Sequence, residues 1–164
     1  MISLLSPDER VDAVWEIDLK ALAARGISGI IVDVDNTLAA WGSTKVSPMA
    51  LDWLARARAA GFGLCLLTNN CAARGEHFRD ALGIPAVYGW VKPWPWGFRR
   101  AMRILGTGPS GTVMVGDQLF TDILGARMLR LYSILVTPIS DHELPVTRLA
   151  RHLEGIILRE RRRP

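Results

Sequence analysis

Two aspartates, Asp33 and Asp35, close the apolar run Ile30-Ile31-Val32. Ionised carboxylates are costly to desolvate, and two of them repel each other at short range. A buried strand that runs into such a pair therefore needs a compensating charge, and a divalent cation supplies one. Three further segments carry polar residues at the ends of apolar runs: Thr68-Asn69-Asn70, Lys92-Pro93, and Gly116-Asp117 with Asp122 five residues on. Together they hold acids, a hydroxyl, amides and one lysine. That inventory suits phosphoryl transfer, which depends on positioning and on neutralising phosphate charge. Mg²⁺ takes oxygen ligands, usually one or two carboxylates beside phosphate and water, and Asp33 and Asp117 are candidates. A carboxylate can attack phosphorus. A second carboxylate two residues on can protonate the leaving oxygen and then activate water. Thr68 and backbone N–H groups at a helix start can hold phosphate oxygens, and Lys92 adds a fixed positive charge.

Bland readings exist for each residue. Asp33-Val34-Asp35-Asn36 is good turn chemistry, Thr68-Asn69-Asn70 is good capping chemistry, and Asp122 in a first helical turn favours the helix dipole. A lone Lys92 is most often a solvated surface residue. The joint occurrence of all four segments argues against coincidence.

The elements that must position these groups alternate along the chain. Ser6-Pro7-Asp8-Glu9 matches a capping box with proline at the first helical position. A short helix is expected from Asp18 to Gly26, then a strand over Gly29–Val34. Ser47-Pro48 opens a helix stopped by Gly61, and Gly63–Leu67 forms a strand. Asn70 is the expected N-cap of a helix ending at Gly83, followed by a brief strand at Ala86–Tyr88. Pro95 starts a helix stopped by Gly106. Thr112–Val115 and Tyr132–Val136 are strands, with a helix from about Thr121 to Leu129 between them and a last helix over Val146–Leu153. Apolar strands separated by helices predict a parallel sheet covered on both faces. Ligands then bind at the carboxyl ends of the strands, near a switch in strand order. The expectation is an α/β, doubly wound, Rossmann-like three-layer sandwich with a five-stranded, mainly parallel sheet. It forms one domain overall: an N-terminal helical segment over 1–28 packed on the core, the core at 29–158, and a basic tail at 159–164.

The motifs resemble the haloacid dehalogenase (HAD) superfamily of phosphohydrolases. Asp33-Val34-Asp35-Asn36-Thr37-Leu38 is similar to its DxDxT signature, Thr68-Asn69 to its second motif, Lys92-Pro93 to its third, and Gly116-Asp117 with Asp122 to its fourth. The resemblance implies Asp33 as nucleophile and Mg²⁺ ligand, and Asp35 as general acid/base with its backbone carbonyl facing the metal. It implies Thr68, Asn69 and Lys92 as phosphate-binding residues and Asp117 as a metal ligand. Asp122 ligates the metal or supports it from behind; spacing leaves both open. The stretches Leu5-Ser6-Pro7-Asp8, Ile17-Asp18 and Gly26-Ile27 extend the likeness to the YqeG-like subfamily IIIA. Relatives of that kind in mitochondria and plastids dephosphorylate phosphatidylglycerophosphate, which the resemblance implies as a candidate substrate. Sugar phosphates, nucleotides and phosphoproteins stay open. So does a non-catalytic module that senses phosphate or docks a partner. A phosphate-transfer receiver domain fits the Asp33-x-Asp35 spacing less well. Neither loop that could carry a large cap domain is long enough for one, which predicts an open site suited to a bulky phosphorylated substrate such as a lipid headgroup.

Composition narrows the setting. The chain has 164 residues, 49% hydrophobic, and a net charge of +4, of which the four arginines and one glutamate of 159–164 supply +3. No apolar run approaches the ~20 residues of a membrane span, and the start lacks a signal-peptide pattern. A cytoplasmic protein with peripheral contact at the inner membrane face is expected, with no nucleic-acid partner. Cys65 and Cys71 suggest neither a disulfide framework nor a zinc cluster and are read as structural. His77, His142 and His152 lack ligand spacing. Trp15, Trp41 and Trp53 are assigned to packing, with Trp41 bordering the site. In Trp94-Pro95-Trp96-Gly97-Phe98-Arg99-Arg100, aromatics beside arginines predict one of two things. Trp94, Trp96, Arg99, Arg100 and Arg103 form a substrate-side or membrane-facing rim, or the tryptophans pack the helix onto the sheet.

Overall fold

A computed structural model describes residues 4–89 and 91–140. The expected helix at Val146–Leu153, the basic tail at 159–164, His142 and His152 lie outside the described residues. Six strands form one parallel sheet: β1 (Glu9–Val11), β2 (Gly29–Val32), β3 (Gly63–Thr68), β4 (Ala86–Tyr88), β5 (Thr112–Gly116) and β6 (Tyr132–Val136), in the order β1-β6-β5-β2-β3-β4. Five helices connect or cover them: α1 (Leu19–Ala24), α2 (Pro48–Ala59), α3 (Ala72–Leu82), α4 (Pro95–Leu105) and α5 (Leu124–Met128).

Alternation along the strands builds both cores, since successive side chains leave opposite faces. Ile30, Val32, Leu64, Leu66, Val113 and Val115 pack with Leu22, Trp53, Leu54 and Phe78 of α1, α2 and α3. Ile31, Cys65, Leu67 and Met114 pack with Phe98, Ala101, Met102 and Ala126 of α4 and α5. Each fully buried large apolar side chain contributes about 1.5–3 kcal/mol. The result is the expected three-layer, doubly wound sandwich. Residues 33–47 contain no helix and residues 69–85 contain only α3, so neither connection carries a large cap domain.

Three expectations are corrected. The sheet has six strands, not five. The sixth is β1, in the stretch read as a capping box. No helix starts at Ser6-Pro7: Asp8 Oδ2 accepts from the Ser133 N–H and the Ser133 hydroxyl, both at 2.9 Å, and its Oδ1 takes Arg127 Nη1 at 2.6 Å. The strand it introduces pairs with β6 from Glu9↔Ile134 to Val11↔Val136. Second, Cys71 rather than Asn70 stands at the N-cap of α3, and it makes no side-chain cap bond. Third, the helix after β5 begins as a wide π-type turn at Leu119–Ile123 before narrowing into α5. Asp18 caps α1 as expected, its Oδ1 accepting from the Lys20 and Ala21 N–H groups at 2.8 and 3.2 Å.

Candidate active site

β2 lies between β5 and β3, the place where the strand order reverses direction. At such a point the loops leaving neighbouring strands part and open a crevice at the carboxyl edge. Asp33 is the first residue past β2, held to the ladder by its N–H donating to the Val115 carbonyl at 2.9 Å. Asp117 follows β5, Thr68 ends β3, and Lys92 follows β4. All four are at most 5% exposed.

Lys92 Nζ lies 2.5 Å from Asp33 Oδ1 and 2.7 Å from Asp122 Oδ1. Burial alone would pull the lysine pKa down, but the Asp122 and Asp33 carboxylates outweigh it and hold the ammonium above its ordinary value. Asp33 behaves oppositely. Burial pushes its pKa well above the usual carboxylate range, Lys92 pulls it back, and Asp122 and Asp117 push it further up. The local conflict is three carboxylates against one ammonium.

That conflict tests whether the residues fit a metal ion. Asp33, Asp117 and Asp122, all buried, offer carboxylate oxygens that lie within 4.8 Å of one another. Hard oxygen donors carrying two negative charges beyond what Lys92 compensates suit a divalent cation such as Mg²⁺. The donor set fits. Asp122 is itself tightly placed: its Oδ2 accepts from the Gln118 N–H at 3.0 Å, and a Cβ on Gly116 would overlap its carboxylate. Only glycine at 116 leaves room for Asp122 at this edge.

Asp35 stands apart from that cluster. Its Oδ1 lies 2.6 Å from Arg74 Nη2 and accepts from Arg74 Nε at 2.9 Å, and its Oδ2 accepts from Asn70 Nδ2 at 3.2 Å. Arg74 also donates to the Ser43 carbonyl at 2.7 Å. Sequence reasoning missed Arg74, and it assigned Asn70 to capping. The available signal was an arginine on the first turn of the helix that follows Thr68-Asn69-Asn70. The loop after Asp35 turns at Asn36, whose φ is 62°, and Asn36 Oδ1 accepts from the Trp41 N–H at 3.1 Å and the Ser140 hydroxyl at 2.7 Å. Half-buried Trp41 thus lies within this loop.

Thr68 Oγ1 accepts from the Asn70 N–H at 3.1 Å. Asn69 exchanges two bonds with the Lys92 backbone: Nδ2 donates to its carbonyl at 2.9 Å, and Oδ1 accepts from its N–H at 2.7 Å. This amide therefore fixes where Lys92 leaves the chain. The Lys92-Pro93 peptide is cis. Buried Cys65, and exposed Cys71 at the start of α3, are both free thiols.

Comparisons with known proteins identify the family. A family model described as a haloacid dehalogenase-like hydrolase matches residues 7–129. The chain is 35% identical over 152 residues to the probable phosphatase YqeG of Bacillus subtilis, spanning 93% of this chain and 88% of that protein. It is 27% identical over 163 residues to phosphatidylglycerophosphate phosphatase 1 of Arabidopsis thaliana, spanning 93% of this chain and 47% of the plant protein. Among solved structures, NagD from E. coli matches with a TM-score of 0.58 at 16% identity, over 73% of this chain and 93% of that one, a likeness of fold. With the strand-end acids in place and most of its length matched, the chain belongs to the haloacid dehalogenase-like hydrolases.

Proposed function

We propose that this hydrolase cleaves phosphomonoesters through an aspartyl-phosphate on Asp33. The observation that carries the reading is the buried cluster in which Lys92 bridges Asp33 and Asp122 at the switch point of the sheet. Asp33 attacks phosphorus, and the bond from phosphorus to the leaving oxygen breaks. Asp35 gives that oxygen a proton. The same carboxylate then takes a proton from water, which attacks phosphorus and frees Asp33. Lys92 offsets the charge of Asp33 and of the transferred phosphoryl group, and Asn69 holds Lys92 in place. Thr68 and Asn69 are the residues we assign to the phosphate. Asp33, Asp117 and Asp122 would hold Mg²⁺, with the Asp35 carbonyl as a further donor. When bound, that ion neutralises phosphate charge and orients the phosphoryl group.

Phosphatidylglycerophosphate is the substrate we favour. Two relatives carry that name, from Arabidopsis thaliana and Chlamydomonas reinhardtii, each 27% identical to this chain. The absence of a large cap among the described residues suits a bulky lipid headgroup. The test is a Mg²⁺-supplemented panel of phosphatidylglycerophosphate and soluble phosphomonoesters, run on wild type and Asp33→Asn. Wild type is expected to turn over the lipid phosphate, and Asp33→Asn to lose turnover on every substrate. Retained turnover in Asp33→Asn would overturn the nucleophile. Turnover of soluble esters alone would overturn the lipid substrate and leave the reaction.

A further inference from the structure

Helix α4 is clamped to the sheet through one face. Phe98, Ala101 and Met102 are buried there. Gly97 sets the rotation: a Cβ at 97 would come within 2.7 Å of Val91 Cβ and 2.8 Å of the Val91 carbonyl oxygen. The opposite face is therefore forced outward. It carries Trp96, Arg99, Arg100 and Arg103, spaced i, i+3, i+4 and i+7, so they form one stripe. Trp96 is 51% exposed, and Trp94, the N-cap of the helix, is 59% exposed. Arg99, Arg100 and Arg103 are exposed, and Ile104 behind them is 45% exposed. The alternative in which Trp94 and Trp96 pack the helix onto the sheet is thereby removed.

Indoles left in water at the end of a helix mark a contact surface, because their large apolar area is costly to leave exposed. The charge around them is of one sign. No aspartate or glutamate occurs between Asp80 and Asp117. Among the described residues the three arginines make no ion pair with a carboxylate. Indoles favour the headgroup level of a bilayer, and guanidinium groups pair with phosphate. Trp94 comes two residues after Lys92, so the aromatic end of the stripe stands at the same sheet edge as the site. We propose that this stripe docks the protein on an anionic lipid bilayer, Trp94 and Trp96 entering the headgroup layer and Arg99, Arg100 and Arg103 meeting lipid phosphates. The docking is separate from the proposed reaction, and the experiment reads the two independently.

The experiment is co-sedimentation of the full chain with phosphatidylcholine vesicles, with and without phosphatidylglycerol. Wild type, Trp94→Ala/Trp96→Ala and Arg99→Gln/Arg100→Gln/Arg103→Gln are compared, with hydrolysis of a soluble phosphomonoester as the second readout. Wild type is expected to sediment with the anionic vesicles only, and less so as salt rises. Each neutralised arginine should weaken partition by about fivefold, and both variants should keep their circular dichroism and soluble-ester turnover. Equal sedimentation of wild type and both variants would overturn the stripe as the docking surface. So would no binding of wild type to anionic vesicles, or binding of the stripe to single-stranded RNA but not to vesicles. Loss of ester turnover in Asp33→Asn, or its retention, bears on the reaction and leaves the docking result unchanged.

Discussion

Arg74 Nη2 lies 2.6 Å from Asp35 Oδ1, joining the first turn of α3 to the loop that follows β2. The same guanidinium donates to the Ser43 carbonyl, so one side chain sets both the direction of Asp35 and the path of the loop behind it. The partner Asn70 holds the other carboxylate oxygen. Asp35 is thereby aimed by α3, although it is only two residues from Asp33 in the chain.

Arg74→Ala should leave Asp35 under-oriented. A misplacement near 1 Å costs on the order of a hundredfold in rate, so kcat on a phosphomonoester should fall by about ten- to a hundredfold. Arg74→Lys should rescue it only in part, because an ammonium cannot copy the guanidinium fork that reaches both Asp35 and Ser43. Steady-state kinetics checks this. Unchanged kcat in Arg74→Ala would remove the orienting role.

Lys92→Met should destabilise the metal-free protein, because it leaves Asp33 and Asp122 buried with no cation. Breaking a buried pair in this way costs about 3–5 kcal/mol. Added Mg²⁺ should then raise Tm, and by more in the variant than in wild type. Thermal melts in EDTA and in Mg²⁺ measure both effects. Equal Mg²⁺ shifts in the two proteins would argue against a shared electrostatic role for the lysine and the ion.

Gly116→Ala should displace Asp122, whose carboxylate occupies the space that the new Cβ needs. Disturbing the support of a metal ligand set typically costs about 10–100-fold in affinity. Mg²⁺ titration of activity in Gly116→Ala should show a raised requirement of that order. Asp122→Asn should raise the Mg²⁺ requirement in the same direction, without the steric cause.

Burial pushes the Cys65 thiol up to about 12, with Arg100 pulling slightly the other way. An acid whose folded pKa is raised ionises first in the unfolded chain, so unfolding gains as pH climbs past the ordinary thiol value of 9.0. Stability should therefore fall between about pH 9 and pH 12, and Cys65→Ala should lose less over that window. Urea unfolding across the range checks the sign. In the native state at pH 8, a maleimide should label exposed Cys71 and spare Cys65.

Much of this molecule can be read from local pattern. The apolar runs at Gly29–Val32, Gly63–Thr68 and Thr112–Gly116 are legible because a strand buried on both faces needs near-continuous hydrophobic residues. Asp33 and Asp117, which follow the first and third of those runs, are legible for the complementary reason: a carboxylate is out of place there unless it works. β1 was not legible. An edge strand of three residues has too little pattern to declare itself, and Ser6-Pro7-Asp8-Glu9 is locally consistent with a helix start. Pairing with β6 and the Asp8–Ser133 bonds decided against it, and both partners are more than a hundred residues away.

The sequence by itself determined the acids, the threonine and the lysine that this protein brings to its sheet edge, because strand, turn and helix-start preferences act over a few residues. Tertiary structure alone decided how those groups divide. It drew Asp33, Asp117 and Asp122 together, with Lys92 bridging Asp33 and Asp122, and sent Asp35 to Arg74. It also turned Trp96 outward by seating Gly97 on Val91. The physical reason is that ion pairing and close packing depend on distances in space, and no spacing along the chain encodes them.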